Sequence, residues 1–326
     1  MTDAASVFSI AHSIIAIIGM LLNVFLVYLA LFKTPRVIKS YATLIVNFAI
    51  TDFLACLFDF FVQQRIIPSG ISLGYVSNGL CRHFGPTTCY VGYSIMLHGF
   101  SHSLWSLLLS FSYRCYILFK PAPTRLLLIL IIGLVYTPSL FQCISLLFAQ
   151  DEPEEIRRIL DEAFPSYNLT GYTVSGTKNI FCFSCLFSVF HMSLPVFPVY
   201  ICILILRRTI ISRLNFQGIN ITKDTKNMHA QLLMALTYQA ALPGVYLFSV
   251  TSYAIGQLGI YHHPVLEYFT FSSFLLIPFL SPFASFLFVT PYRQFITNIF
   301  RKVAHIEPVR ITSTHPTYTI HSHVIE

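Results

Sequence analysis

Two carboxylates, two histidines and one arginine sit inside stretches of this sequence that are otherwise apolar. Asp52 and Asp59 fall in "TDFLACLFDF", seven residues apart and so on one face of a helix, two turns from each other. His98 and His102 bracket "HGFSH", an i, i+4 pair. Arg114 closes the apolar run in "SFSYRCYILFKP", seven residues before Pro121. A carboxylate held in hydrocarbon costs several kcal/mol unless it is neutralised or paired, so each of these acids is a functional candidate. Histidines at helical spacing can bind a metal or interact as hydrogen-bonded interior groups. The second reading is the expectation here, with no metal and no other cofactor. A membrane di-iron enzyme would need several histidine boxes facing one side, and "HGFSH" has no companions, so an enzyme is not expected.

The elements that must position these residues follow from composition. Of the chain, 55% is hydrophobic and only 10% charged, far from the roughly one quarter charged that soluble domains carry. The apolar residues gather into seven blocks, at about 7–32, 42–62, 87–113, 125–148, 180–206, 229–255 and 267–290, each long enough for a membrane-crossing helix of about 20 residues. The fold class is therefore an all-α, seven-helix membrane bundle. The first block is too long for a signal-peptide core and reads as a signal anchor.

Fifteen of the twenty lysines and arginines fall in the segments that follow spans one, three, five and seven. The positive-inside rule then puts those segments in the cytoplasm and the N-terminus outside. The net charge of +7 is met by anionic lipid headgroups, and no nucleic acid is implied. Residues 1–300 read as one seven-span domain and 301–326 as a polar, disordered cytoplasmic tail, whose serines and threonines are candidate phosphorylation sites.

In the second outer segment, "DEPEEIRRILDEAF" carries six acids, places Pro153 at a helix start and puts Ile156, Ile159 and Leu160 on one side. A short amphipathic helix over the outer mouth is expected. The sequon at Asn168 lies in that segment and is a glycosylation candidate, whereas the one at Asn220 lies on the cytoplasmic side and is not. Cys81, Cys89, Cys182, Cys185 and Cys143 lie near the outer face, where at least one disulfide is expected.

Together these residues resemble the rhodopsin-like plan of G-protein-coupled receptors over almost the whole chain. Gly19 with Asn23, "NFAITDFL" with Asn47 and Asp52, Arg114 ahead of Pro121, and "SPFAS" ahead of "PYRQF" stand at the offsets of that family's motifs. The spelling "CRHFGPTTCYVGYSIMLHGFSHSLWSLLLSFSYRCYILFKPAP" is similar to the nematode serpentine chemoreceptors, most of all class delta (Srd).

The resemblance implies a receptor in the plasma membrane of a sensory neuron that binds an environmental small molecule and activates a heterotrimeric G protein. Arg114, with Tyr113 in place of the family's usual aspartate, is the implied cytoplasmic switch, and Asp224 its resting partner. The bland alternative for Arg114 is a guanidinium that snorkels into headgroup water. Asn23, Ser103 and Ser281 are implied to surround Asp52 as a buried polar node, and the missing asparagine beside Pro282 speaks against sodium there. Kinks are implied at Pro198, Pro243 and Pro282, with Pro195 a rival to Pro198. "PYRQF" opens a short amphipathic eighth helix along the membrane.

The implied ligand pocket takes Asp59 and, from the third span, Tyr93, Met96, Leu97, Phe100 and Ser101. An apolar pocket favours small uncharged molecules, while Asp59, free to pair with a cation or with His102, leaves amines open. In this plan Cys89 ties the third span to the second outer segment through Cys182 or Cys185, with Cys81 a rival; the expected pair is Cys89 with Cys182. A receptor dimer is left open. The competing reading is a seven-helix transporter or channel without G-protein coupling, although no paired repeats or matching broken helices are visible.

Overall fold

The structure is a computed structural model and describes residues 2–35, 38–167, 169–215 and 223–303. Helix α1 spans Thr2–Phe32, α2 Lys39–Val62, α3 Pro86–Ile117 and α4 Arg125–Leu147. The fifth span is α6 (Phe183–Ser193) followed by α7 (Val196–Asn215), after the short helix α5 (Pro153–Ala163). The sixth is α8 (Lys223–Ala241) followed by α9 (Pro243–Gln257). Helix α10 (Pro264–Phe288) is the seventh, and α11 (Thr290–Val303) follows it after Val289.

Six of these spans are apolar and long enough to cross a membrane by length and composition. The exception is α3, diluted by serines, glycines and two histidines. It can afford them because it is the bundle's axis: it packs against α2, α4, α7 and α8, so its polar side chains meet protein rather than lipid. The lipid-facing surface lies on other helices, with Leu21, Leu130, Leu134 and Phe197 all well exposed.

Prolines set the breaks. The sixth span is interrupted at Leu242, and Pro243 opens α9 where its missing N–H costs least. The fifth span breaks between Ser193 and Val196, so the rival Pro195 sits at the break. Pro198, the expected kink, instead lies within the first turn of α7, where proline is tolerated. Pro278 and Pro282 lie inside a continuous α10.

The all-α expectation needs one correction. The segment after α2 is a β-hairpin, β1 (Gln64–Ser69) and β2 (Ser72–Ser77), and β2 also pairs with β3 (Thr173–Thr177) in a three-stranded antiparallel sheet of order β1-β2-β3. Ser69 faces Ser72 across a two-residue loop whose first residue is Gly70 at φ 59°, the glycine position of a tight hairpin. Helix α5 forms as expected, starting at Pro153, and seats Ile156 and Leu160 on this sheet against Ile67, Val76 and Val174.

Candidate functional site

Beneath the sheet lies a cavity of about 80 Å³, lined by residues of α3, α4, α6, α9, α10 and the hairpin. Of the residues expected to line it, Tyr93 and Leu97 do. Phe100 lies lower, on a second cavity of about 30 Å³. Met96 is buried among core side chains, and the Ser101 hydroxyl donates to the His98 carbonyl at 3.2 Å. The wall opposite α3 comes from Cys185, Val189 and Met192 of α6 and from Ser249, Val250 and Tyr253 of α9.

Asp59 is not a pocket residue. It is fully buried and bonded to His12 Nδ1 at 2.9 Å, and the other nitrogen of that ring meets Ser272 Oγ at 2.7 Å. This chain of contacts links α1, α2 and α10. The proposed partner His102 points elsewhere: its Nε2 meets Ser106 Oγ at 2.8 Å and its ring stacks on Tyr136 at 3.4 Å. Among the described residues no group of three or more His, Cys, Asp or Glu side chains is arranged to hold a metal ion. Asp59 thus meets α1, while Asp52, two turns away on α2, meets Ser103 of α3.

Between β1 and the start of α10 lies a charged cluster that the sequence reading missed. Arg65 at the start of β1 and Glu267 in the first turn of α10 form a buried ion pair, 2.6 Å from Nη2 to Oε2 and 2.7 Å from Nε to Oε2. Tyr167 donates to the second oxygen at 2.8 Å, and the guanidinium lies between the Tyr167 and Tyr268 rings, 4.7 and 5.3 Å from their centroids. Burial and the neighbouring Glu267 carboxylate push the Tyr167 hydroxyl well above its ordinary range, so it stays a donor. Arg65 and Glu267 are the charged residues nearest the ends of their spans, and that was the available signal.

The polar node divides. Ser103 donates to Asp52 Oδ1 at 2.9 Å, as expected. Ser281 accepts from Gln239 Nε2 at 3.1 Å, bringing α8 into the node. Asn23 makes its bonds elsewhere. Its amide donates to the Gly19 carbonyl at 2.9 Å and to the Pro278 carbonyl at 3.0 Å. That second carbonyl is the one Pro282 leaves without an intrahelical N–H, so Asn23 supplies the bond the proline removed. Ser103, Ser281, Gln239 and Phe100 border the 30 Å³ cavity, which has about the volume of one water molecule.

Near the C-terminal end of α3, Arg114 is only 2% exposed, which speaks against the snorkelling alternative. Its guanidinium stacks on the Tyr41 ring at 3.8 Å from the centroid, in a cation–π arrangement. The Tyr113 ring packs on Tyr41 at 6.0 Å. Tyr292, in the first turn of α11, shares a hydrogen bond with Thr34. Burial pushes the Tyr292 hydroxyl up to about 12, so it remains protonated. The side chain of Asp224 lies outside the described residues, as do Asn168, Asn220 and the tail beyond Val303.

The expected Cys89–Cys182 disulfide is replaced by Cys81–Cys89. Cys81 sits on the short 3₁₀ turn Leu80–His83 and Cys89 in the first turn of α3, with Gly85 at φ 97° reversing the chain between them. That reversal brings the two α-carbons to 5.0 Å, within disulfide range. Cys182, just ahead of α6, and Cys185 are free.

A seven-helix bundle with a cavity under the sheet, a proline-broken sixth span and a buried arginine near the C-terminal end of the third has the architecture of the rhodopsin fold. The structure is similar to squid rhodopsin, with a TM-score of 0.64 at 14% sequence identity, over 93% of this chain and 83% of that one. The family is given by sequence. Residues 8–298 match the model of the serpentine type 7TM GPCR chemoreceptor Srd family, and the chain belongs to that family. Its relatives in Caenorhabditis elegans include serpentine receptor class delta-18, 44% identical over 90% of each chain, and serpentine receptor class delta-19, 43% identical over 90% of this chain and 88% of that one. The family is one of multi-pass membrane receptors rather than enzymes.

Proposed function

We propose that this receptor binds an environmental small molecule in the outer cavity and activates a heterotrimeric G protein by movement of the sixth span about the break at Leu242–Pro243. One observation carries the reading. The cavity wall formed by Ser249, Val250 and Tyr253 belongs to α9, the element directly beyond that break. A molecule that pushes on α9 acts on a lever whose other arm, α8, contacts α3 and shares a core cluster with Tyr113, next to Arg114. On the resting side, the Arg65–Glu267 pair holds the mouth closed and Tyr41 holds Arg114. Release of that guanidinium to the G protein is the switch. The Asp52–Ser103 and Gln239–Ser281 bonds form the polar layer between cavity and switch.

The same reading places the N-terminus outside, α11 along the cytoplasmic membrane surface among anionic headgroups, residues 1–300 as the receptor domain, 301–326 as a regulatory tail, and the whole in the membrane of a sensory neuron. The test is guanine-nucleotide exchange on a panel of Gα subunits, in membranes bearing wild type or Arg114→Ala, with a library of small molecules. Exchange that rises with a compound and disappears in the variant at equal surface display is the expected result. Flat exchange with every subunit and every compound would overturn the reading.

A further inference from the structure

The residues that line the cavity beneath the sheet divide by exposure. Those contributed by β1, β2, α3, α4 and α10 are all buried, none above 5% exposed. The partly exposed ones are Val189, Met192 and Ser193 of α6 and Val250 and Tyr253 of α9. The cavity therefore reaches the surface of the protein along the seam between these two helices. Packing agrees: α6 rests on α4, and α9 on α10, β1 and α8, while among the described residues no comparable packing joins α6 to α9. A hydrogen bond from Tyr246 to the Met192 carbonyl, at 2.8 Å, crosses the seam one turn nearer the Pro243 break than Val250.

Two other approaches to the cavity are shut. Ile66, Leu73 and Tyr75 of the sheet cover it, and Ile156 and Leu160 of α5 pack on the sheet's other face. A neighbouring cleft bounded by Pro68, Gly256 and His263 shares Ile66, Tyr253 and Thr270 with the cavity, but its volume is only about 10 Å³. That is at or below what holds one water molecule.

The seam itself opens on lipid. Val189 is six residues from the start of α6 and Val250 seven from the end of α9, which puts both about 9–10 Å from those helix ends. In a hydrocarbon core about 30 Å thick that depth lies among acyl chains. Neither helix carries an Asp, Glu, Lys or Arg, and Phe190, Leu194, Leu247 and Phe248 are exposed on them.

We infer that the cavity is entered sideways from the membrane, between α6 and α9, and that its ligand is an uncharged, lipid-dissolved molecule bearing an alkyl chain. This deepens the receptor reading and rests on it. An ion would have to leave water for hydrocarbon to take this route, and no Asp, Glu, Lys or Arg lines the cavity to receive it. The chain follows from size: about 80 Å³ is roughly half of the ~150 Å³ apolar cavity that takes up benzene. A longer molecule must leave its tail in the seam, where it bears on α9.

The test uses the full chain in lipid nanodiscs and two photolabels of matched shape. One is 2-azipentane, which dissolves in lipid; the other is 4-azipentanoate, in which a carboxylate replaces the terminal methyl and holds the molecule in water. Labelled residues are mapped by mass spectrometry after brief exposure and a flash of light. 2-Azipentane is expected to reach Tyr93 and Phe271, buried on the α3 and α10 walls, and 4-azipentanoate is not. Val250→Trp, which overfills the seam, should slow that labelling about tenfold, and Val250→Ala, which widens it, should speed it. Labelling of Leu130 and Leu134, lipid-facing residues of α4, should stay constant throughout. Gly256→Ala, whose Cβ would stand 3.1 Å from Pro68 Cγ and narrow the neighbouring cleft, should leave Tyr93 and Phe271 labelled as before. The inference is overturned if 4-azipentanoate labels them as readily, if Gly256→Ala slows labelling where Val250→Trp does not, or if neither label reaches them. Failure of the receptor reading is seen separately, as flat nucleotide exchange while the labelling pattern holds.

Discussion

Substituting Arg65 by methionine strips the guanidinium from Glu267 while keeping most of the side chain's length. Both side chains are nearly excluded from solvent, at 7% and 4% exposure. The carboxylate would keep only the Tyr167 hydroxyl, and Tyr167 and Tyr268 would lose the cation between their rings. Removing one member of a buried pair costs about 3–5 kcal/mol, because the remaining charge loses its compensation. Replacing both members with apolar residues is often neutral. Thermal unfolding of the purified receptor in detergent should therefore show Arg65→Met lowered by about 5–10 °C, Glu267→Met lowered comparably, and Arg65→Met/Glu267→Met well short of the two shifts added together. The internal control is Arg158, which is 68% exposed and 3.9 Å from Glu155 and Glu162. Such surface pairs contribute at most about 1 kcal/mol, so Arg158→Ala should be nearly silent. If Arg65→Met matched Arg158→Ala, or if the double substitution cost the sum of the singles, the clasp would not be the structural tie described here.

Three further outcomes follow from the geometry. Asn23→Leu removes the donor that serves the Pro278 carbonyl, and should destabilise the seventh span by about 1–3 kcal/mol, read as a lower midpoint in the same unfolding assay; the double variant Asn23→Leu/Pro282→Ala, in which the helix can make its own bond, should recover much of it. Disulfide mapping by mass spectrometry should find Cys81 joined to Cys89, with Cys81→Ser and Cys89→Ser equally destabilising and Cys182→Ser close to wild type; a peptide linking Cys89 to Cys182 would refute this pairing. Expression with and without glycosidase should show a mobility shift that Asn168→Gln abolishes and Asn220→Gln does not, and the reverse pattern would invert the proposed topology.

The way these elements were legible follows their physics. A helix that crosses a bilayer must be about 20 apolar residues long, so the seven blocks stood out in composition and the structure places helices over each of them. Helix α5 was equally readable, because Pro153 and the spacing of Ile156 and Leu160 are local signals. The hairpin of β1 and β2 was readable in principle from Gly70 and its flanking isoleucines, but "QRIIPSGISLGYVS" is short, and it lies where a loop was the default.

The pairings inside the bundle were of another kind. Composition established that Asp52, Asp59 and Arg114 need compensation, since hydrocarbon offers none, yet it left open which groups supply it. His12 serves Asp59 across 47 residues, Glu267 serves Arg65 across 202, and Asn23 serves the Pro278 carbonyl across 255. Each contact depends on how two helices are rotated about their own axes and how far one slides along the other. A rotation by one residue is about 100°, enough to turn a side chain from a partner to a lipid. The amino-acid order by itself determined the apolar spans, the clustering of the basic residues and the burden of buried polar groups; only the packing of the bundle decided that Asp59 is bonded to His12, that Asn23 serves the carbonyl Pro282 leaves open, and that Glu267 meets Arg65.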